Sequence, residues 1–315
     1  MENVDFSYFE RQIVDQLKDY LNHSGVFYRI FSRSKSTQSI KKKIEKKKDK
    51  YSADGCKMQD LIGVRIVFYF IDDVAIFADY LRSKDFFVDE SNSERELANL
   101  HVQNIELADT VFMPTRLNLI CKIPETLIKG LKDELHSVTE FNTELIDMTY
   151  EIQLRSVLSE GWHEVEHDLR YKCKDEDWWK YCKEESRFLN GIFATLETSE
   201  RSMRELFSSI AYKNYKKKDW TAMLRNHLCL RFVDSDLDGW LIDLFDNDED
   251  IAKAYYRCDR SKIIDVLCLS QVPLVLKMMN VVFLINRIGN ISDKISSKES
   301  SVIKNILDKL LKVTD

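Results

Sequence analysis

The first hydrophobic pattern in the chain has a helical period. Phe9, Ile13 and Leu17 recur every four residues, which predicts an amphipathic helix over residues 6–21. Residues 26–31 are instead β-branched or aromatic except for Arg29, and that composition is typical of a strand. The chain therefore opens with a helix that is followed by a strand.

A strongly basic segment follows this strand. Residues 29–50 hold ten Lys or Arg and two acids, a local charge of 10 − 2 = +8 in a chain of net charge −6. Ser39 is a candidate N-cap for a helix that begins at Ile40. Ile40 and Ile44 lie one turn apart, so this helix has one narrow buried side and a broad basic side.

The basic segment has two interpretations. A run of lysines is usually the solvated face of a helix. However, Arg33, Lys35 and Lys43 place cations before and on the first turns, where the helix dipole and free N–H groups also favour phosphate. The segment is therefore a candidate polyphosphate site, although it lacks the glycine-rich loop of a P-loop.

Two later stretches predict strands that carry polar groups. Residues 62–71 form a continuous β-rich run, as in a central buried strand, with Asp60 at its start. Arg65 lies within this run, where a guanidinium is costly unless it is paired, for example with Asp60, or faces a site. Residues 150–155 alternate, so that Glu151 shares one face of the strand with other polar side chains.

The polar face of this last strand is its distinguishing feature. It presents Glu151, Gln153 and Arg155, while Ile152 and Leu154 point to the other side. A helical pattern then begins, and its side chains around Trp162 are interpreted as a brace for the strand. Alternating residues at 117–123 add another strand, so the order of elements predicts an α+β fold with a mixed sheet and flanking helices.

Length and composition predict a second domain. The 315 residues are more than one core usually needs, and only 8 Gly and 3 Pro favour long helices. We expect a first domain at residues 1–175 and an all-α domain at 176–315 that regulates the first or binds a second copy of the chain or another protein. The net charge of −6 argues against a bulk nucleic-acid binder.

The chain carries no sign of a membrane segment or of a disulfide framework. Its seven cysteines form no Cys-x-x-Cys pair, and residues 1–5 lack the apolar run of a signal peptide. The longest apolar stretch, 272–288, is interrupted by Lys277 and Arg287. We therefore expect a cytoplasmic protein with reduced thiols and no membrane contact.

Three blocks of residues, in order, resemble the synthetase domain of the RelA/SpoT family, which makes the alarmone (p)ppGpp. The first block is Arg33, Lys35 and Ser39 before a basic helix, and the second runs from Asp60 to Arg65. The third is Glu151, Gln153 and Arg155, followed by Trp162, Glu166, His167, Tyr171 and Lys172. The likeness covers roughly residues 20–175.

The resemblance implies a nucleotidyltransferase-like sheet that transfers the β,γ-pyrophosphate of ATP to a ribose 3′-hydroxyl. The residues that would contact ATP are Arg33, Lys35, Ser39, Lys43, Lys46 and Arg65. By position in the family, Arg33 and Arg65 would sandwich the adenine, and the other four would hold the triphosphate. These roles come from the resemblance alone.

The resemblance also implies a magnesium ion as cofactor. Asp60 and Glu151 would bind it, and Glu151 would draw the proton from the attacking hydroxyl. Gln153 and Arg155 would shape the acceptor side. Pyrophosphoryl transfer needs mainly positioning and neutralised oxygen charge, which suits this set of side chains.

The acceptor segment departs from the family. Where (p)ppGpp synthetases have a Gly-Tyr-Arg-Ser-Tyr-His type motif, this chain has Phe112, which keeps an aromatic face, and Arg116 in place of the His. Some small members of the family are toxins that use adenine nucleotides or the 3′ end of tRNA as acceptor. The resemblance therefore leads us to expect a nucleotide or tRNA acceptor and a toxin or phage-defence effector. The alternatives are an ordinary (p)ppGpp synthetase using GDP or GTP, and a degenerate nucleotide-binding signalling module.

Overall fold

The computed structural model describes most of the chain, as two compact units. The described residues are 6–46, 49–90, 117–138, 142–166, 181–269 and 272–312. The first unit comprises Met1–Lys18 and Tyr28–Ala194, and the second comprises Asp19–Phe27 and Thr195–Asp315. The functional domain boundary at residues 175/176 stays a prediction.

A five-stranded mixed sheet forms the centre of the first unit. Its strands in chain order are β1 (Tyr28–Ser34), β2 (Ile62–Phe68), β3 (Phe87–Glu90), β4 (Leu117–Lys122) and β5 (Thr149–Ser156). In space the order is β1-β2-β5-β4-β3. β5 therefore enters the middle of the sheet, parallel to β2, whereas the other three pairs of neighbours are antiparallel.

Helices flank this sheet and complete the predicted α+β class, which is confirmed. They are the first part of α1 (Ser7–Ser24), α2 (Thr37–Lys46), α3 (Ile71–Arg82), α4 (Glu125–Val138), α5 (Val157–Glu166) and the first part of α6 (Lys183–Lys216). Phe77 of α3 packs on Phe68 of β2, with ring centroids 5.5 Å apart. Ile152 and Leu154 of β5 are fully buried, as the alternation predicted.

The basic helix α2 starts earlier than the sequence pattern predicted. It begins at Thr37 rather than at Ile40, and the Ser39 N–H donates to the Ser36 hydroxyl over 3.3 Å. Ser36 therefore caps the helix, and the expectation that Ser39 is the N-cap was wrong. The buried side was predicted correctly, because Ile40 and Ile44 are both buried.

Arg155 lies inside the first unit and not at its surface. Its side chain is 2% exposed. One guanidinium nitrogen donates to the carbonyls of Leu117 (3.4 Å) and Leu154 (2.8 Å), and another donates to Asn118 Oδ1 (2.9 Å). The bonds to Leu117 and Asn118 join β5 to β4, and all three bonds compensate the burial of the guanidinium within the sheet.

Among the described residues of the second unit, the regular secondary structure consists of helices joined by loops, apart from an isolated bridge between Asp234 and Lys277. After the end of α6 come α7 (Trp220–Leu228), α8 (Gly239–Asn247), α9 (Glu249–Tyr256), α10 (Arg260–Leu269), α11 (Met278–Gly289), α12 (Asp293–Ser296) and α13 (Ser301–Leu311). The core of the unit includes Phe245 and Tyr255, whose rings lie 5.1 Å apart. Among the described helices, none has the length and apolar character needed to cross a membrane.

We predict that Arg155→Met destabilises the sheet, because it leaves three buried acceptors without their donor. The expected loss is about 2–4 kcal/mol in the free energy of local unfolding. Hydrogen exchange of the β4 and β5 amides measures it.

Arg29→Met is the control for this substitution. Arg29 is exposed on β1 and donates a hydrogen bond to the Tyr69 hydroxyl over 3.2 Å. Its loss should change stability by less than about 0.5 kcal/mol. Equal, small effects of the two substitutions would contradict the bracing role of Arg155.

Candidate functional site

One face of the sheet in the first unit carries a cavity of about 510 Å³. Two cross-strand rows build its floor. Arg33, Gly63 and Glu151 are register partners across β1, β2 and β5, and so are Phe31, Arg65 and Gln153. Residues directly opposite one another share a face of the sheet, so the register alone places both rows on the same side.

Gly63 leaves open the space between its two charged neighbours in the first row. A Cβ built on this glycine would meet only the Arg33 carbonyl oxygen, at 4.0 Å. The position therefore has room for a side chain and needs no unusual backbone conformation. The absence of a side chain keeps the floor clear between Arg33 and Glu151.

Asp60, just before β2, is the charged centre of the cavity. Its Oδ2 accepts hydrogen bonds from the Lys35 and Lys43 ammonium groups, over 2.7 and 2.6 Å. Lys35 is also fixed through its backbone N–H, which donates to the Leu61 carbonyl over 2.9 Å. The other carboxylate oxygen, Oδ1, is buried and has no hydrogen-bond partner among the described residues.

These lysines control the ionisation of Asp60. Burial alone would raise its pKa, but the hydrogen bonds and charges of Lys35 and Lys43 outweigh burial, and the net pKa is lowered. The carboxylate therefore stays ionised at neutral pH. Its stabilising contribution is present above the pKa of an unfolded aspartate and is lost as the pH falls through the lowered folded value.

Gln153 and Glu160 hold Arg65 at the cavity. Its Nε donates to Gln153 Oε1 over 3.0 Å, and a terminal nitrogen, Nη1, donates to Glu160 Oε1 over 2.7 Å. The ion pair is thus with Glu160 of α5, and the alternative of a pair with Asp60 was wrong. Sequence analysis missed Glu160 because its helix was interpreted as a brace. The available signal was an arginine within a β-rich run, since such a guanidinium requires a partner such as a carboxylate.

The structure gathers most of the predicted site residues. Those that line the cavity are Arg33, Lys35, Asp60, Arg65, Glu151 and Gln153. Lys43 reaches the cavity through Asp60. An additional lining residue that sequence analysis missed is Phe31, whose side chain is 53% exposed.

Three other predicted contacts, those of Ser39, Lys46 and Arg155, do not line this cavity. Ser39 is exposed, and its hydroxyl lies 2.9 Å from that of Ser36. Lys46 is exposed on the last turn of α2, and Arg155 is buried in the sheet. Phe112 and Arg116 lie outside the described residues, so their acceptor role stays a prediction.

The carboxylates fit magnesium better than a metal that needs a complete protein cage. Among the described residues no three His, Cys, Asp or Glu side chains cluster as a metal site. Magnesium needs few protein carboxylates, since water and substrate phosphates supply its other oxygen ligands. Asp60, with its buried unpartnered Oδ1, and Glu151 would hold such an ion.

Comparison with known proteins gives one sequence match and several structural ones. The family model of the region found in RelA / SpoT proteins matches residues 32–176. No curated protein matches the chain. A GTP pyrophosphokinase family protein from Streptococcus pneumoniae is 18% identical, with a TM-score of 0.43 over 64% of this chain and 86% of that chain.

Two further solved structures show a similar degree of likeness. Small alarmone synthetase 1 from Bacillus subtilis, bound to its product pppGpp, is 20% identical with a TM-score of 0.41, over 64% of this chain and 94% of that one. The protein smu.1046c from Streptococcus mutans is 21% identical with a TM-score of 0.40, over 62% and 91%. These scores are too low to support conclusions about substrate.

The sequence match covers the two cross-strand rows of the cavity except for Phe31, and it also covers Asp60 and Glu160. Residues 32–176 therefore match the region found in RelA / SpoT proteins, and this match confirms the resemblance and the enzyme class, a pyrophosphokinase, that the three sequence blocks predicted.

Proposed function

We propose that the protein transfers the β,γ-pyrophosphate of ATP to a 3′-hydroxyl of an acceptor nucleotide or of tRNA, with magnesium as cofactor. The observation that carries this proposal is the cavity itself. It combines cations for a polyphosphate, two carboxylates and a planar guanidinium on one face of the sheet. This set also argues against a degenerate binding module, which has no need for both carboxylates.

The cationic end of the cavity would hold the triphosphate. Lys35 and Lys43 now neutralise Asp60, and the more highly charged phosphates of ATP would draw them away from it. Asp60 would then be free to act as a magnesium ligand. Magnesium, when bound with the nucleotide, neutralises charge on the phosphate oxygens.

Glu151 is the proposed general base. The acceptor 3′-oxygen attacks the β-phosphorus, and the bond from that phosphorus to the α,β-bridging oxygen breaks. AMP leaves with the electron pair of that bond, and the hydroxyl proton passes to the Glu151 carboxylate. Glu151 lies beside Gly63, so the acceptor hydroxyl has space to approach over the glycine.

The physiological role we propose is that of a toxin or phage-defence effector acting in the cytoplasm. The altered acceptor residues Phe112 and Arg116 motivate this role and an acceptor other than GDP or GTP. We also propose that the domain at residues 176–315 regulates the enzyme or binds a partner chain.

Acceptor identity is measured by incubating the intact protein with γ-labelled ATP and magnesium. GDP, GTP, AMP, ATP and deacylated tRNA are each offered separately. Label on an adenine nucleotide or on tRNA supports the proposal, and label on GDP or GTP alone supports an ordinary (p)ppGpp synthetase. No transfer to any acceptor, with ATP still bound, would leave only a binding module.

We predict that Glu151→Gln lowers the transfer rate by about a thousandfold, because the amide cannot take the hydroxyl proton. Initial rates with the labelled acceptor measure the effect, and thermal unfolding verifies the fold. Expression of the intact chain should arrest growth, whereas expression of this variant should not. A wild-type rate in the variant would show that Glu151 is not the base.

Asp60→Asn should separate phosphate binding from catalysis. It removes the anion that holds Lys35 and Lys43, so inorganic tripolyphosphate should bind more tightly in the absence of magnesium. Transfer should nevertheless fall at least about a hundredfold, because a metal ligand is lost. Titration calorimetry and initial rates measure the two effects, and weaker tripolyphosphate binding would contradict the lysine release.

Gly63→Val should fill the floor of the cavity without disturbing the sheet. Valine favours strands, and a Cβ at this position would meet no atom closer than 4.0 Å. We expect about tenfold weaker binding of a non-hydrolysable ATP analogue, or about 1.4 kcal/mol, with an unchanged melting temperature. Gly63→Ala is the control and should have a smaller effect. Full affinity in the valine variant would place the ligand elsewhere.

A further inference from the structure

Arg65 is restrained more closely than a surface arginine. It donates hydrogen bonds to Gln153 on β5 and Glu160 on α5, over 3.0 and 2.7 Å. Because these partners lie on two elements and take two different nitrogens, they fix the guanidinium plane as well as its position.

The Glu160 carboxylate is directed at this guanidinium. Its side chain is 15% exposed, and its Oε1 accepts the bond from Arg65. Its Oε2 is buried without a hydrogen-bond partner among the described residues. A pair built for stability alone gains more from two parallel bonds to both oxygens than from this single bond.

An aromatic residue lies opposite Arg65 on the neighbouring strand of the cavity floor. Phe31, the register partner of Arg65 on β1, is an exposed ring on the same face of the sheet. A planar cation beside an aromatic ring forms a flat wall that stacks with the face of a nucleobase. The phosphate-binding lysines surround Asp60, in a separate part of the site.

We infer that Glu160 is a positioning residue, which acts through Arg65 to hold the base-binding wall of the cavity. This inference rests on the proposed function, because it takes a purine nucleoside triphosphate as the ligand. Glu160 itself touches neither the phosphates nor the reacting atoms. Its loss should therefore weaken recognition of the base and leave recognition of the polyphosphate unchanged.

The test compares two ligands on the intact protein by titration calorimetry with magnesium. Glu160→Ala should bind a non-hydrolysable ATP analogue about tenfold more weakly, or about 1.4 kcal/mol, and inorganic tripolyphosphate within about twofold of wild type. Glu160→Gln keeps an acceptor for Arg65 without the charge and should show a smaller loss. In kinetics the loss should appear in KM for ATP, with kcat retained.

The chain offers a closely matched control. Glu90 pairs with Arg82 over 2.7 Å, is 19% exposed, and also has a buried Oε2 without a partner among the described residues. It lies on β3, at the edge of the sheet opposite β1. Glu90→Ala should lower the melting temperature about as much as Glu160→Ala but leave both ligands at wild-type affinity.

A double-mutant cycle tests whether Glu160 acts through Arg65. In an Arg65→Ala background, Glu160→Ala should cause no further loss of affinity for the ATP analogue. A further loss, equal weakening of both ligands, or wild-type affinity in Glu160→Ala would overturn the inference. If the wild-type protein does not bind the analogue, the proposed function falls with it; if only the variants behave like wild type, this inference alone is wrong.

Discussion

The site depends on the parallel pairing of β5 with β2. This pairing sets Glu151 opposite Gly63 and Gln153 opposite Arg65, although the partners are 88 residues apart in the chain. A parallel pair needs a long crossover connection, and here the connection includes α3, β3, β4 and α4. A shift of the register by one residue would turn Glu151 and Gln153 to the buried face. The backbone hydrogen bonds between β2 and β5 therefore determine which side chains face the cavity.

Much of this arrangement was predictable from local pattern. The alternation at residues 150–155 indicated the polar face of β5, and the spacing of Ile40 and Ile44 indicated the buried side of α2. Both signals are periodicities of apolar residues, and they can be recognised in the sequence without knowing which element packs against them. The three sequence blocks of the RelA/SpoT resemblance then indicated which polar residues form one site. Six of these predicted residues line the cavity.

The misses have a common physical reason. Arg155 was expected in the site because it points to the same face of β5 as Glu151. Alternation predicts the face of a strand, but it does not predict which residues on that face are covered by other elements, and Arg155 is buried. Glu160 and Phe31 were missed because their roles depend on the cross-strand and helix-to-sheet neighbours of Arg65, at sequence distances that no local pattern encodes. The start of α2 was misplaced by three residues, since Ser36 and Ser39 are both good caps and only the backbone decides between them.

The sharing of one Asp60 oxygen by two lysines has a consequence for selectivity. Asp60 already offsets one of the two positive charges at the cationic end of the cavity, so an incoming anion competes with this carboxylate for the ammonium groups. A single inorganic phosphate offers little advantage over a carboxylate that is already in place and already desolvated. A chain of phosphates can contact both ammonium groups at once, so it would compete with the Asp60 carboxylate more effectively than a single phosphate does. For the proposed function, the contact of Asp60 with the two lysines would therefore favour a polyphosphate over a single small anion, and the length of the phosphate chain would become part of what the site recognises.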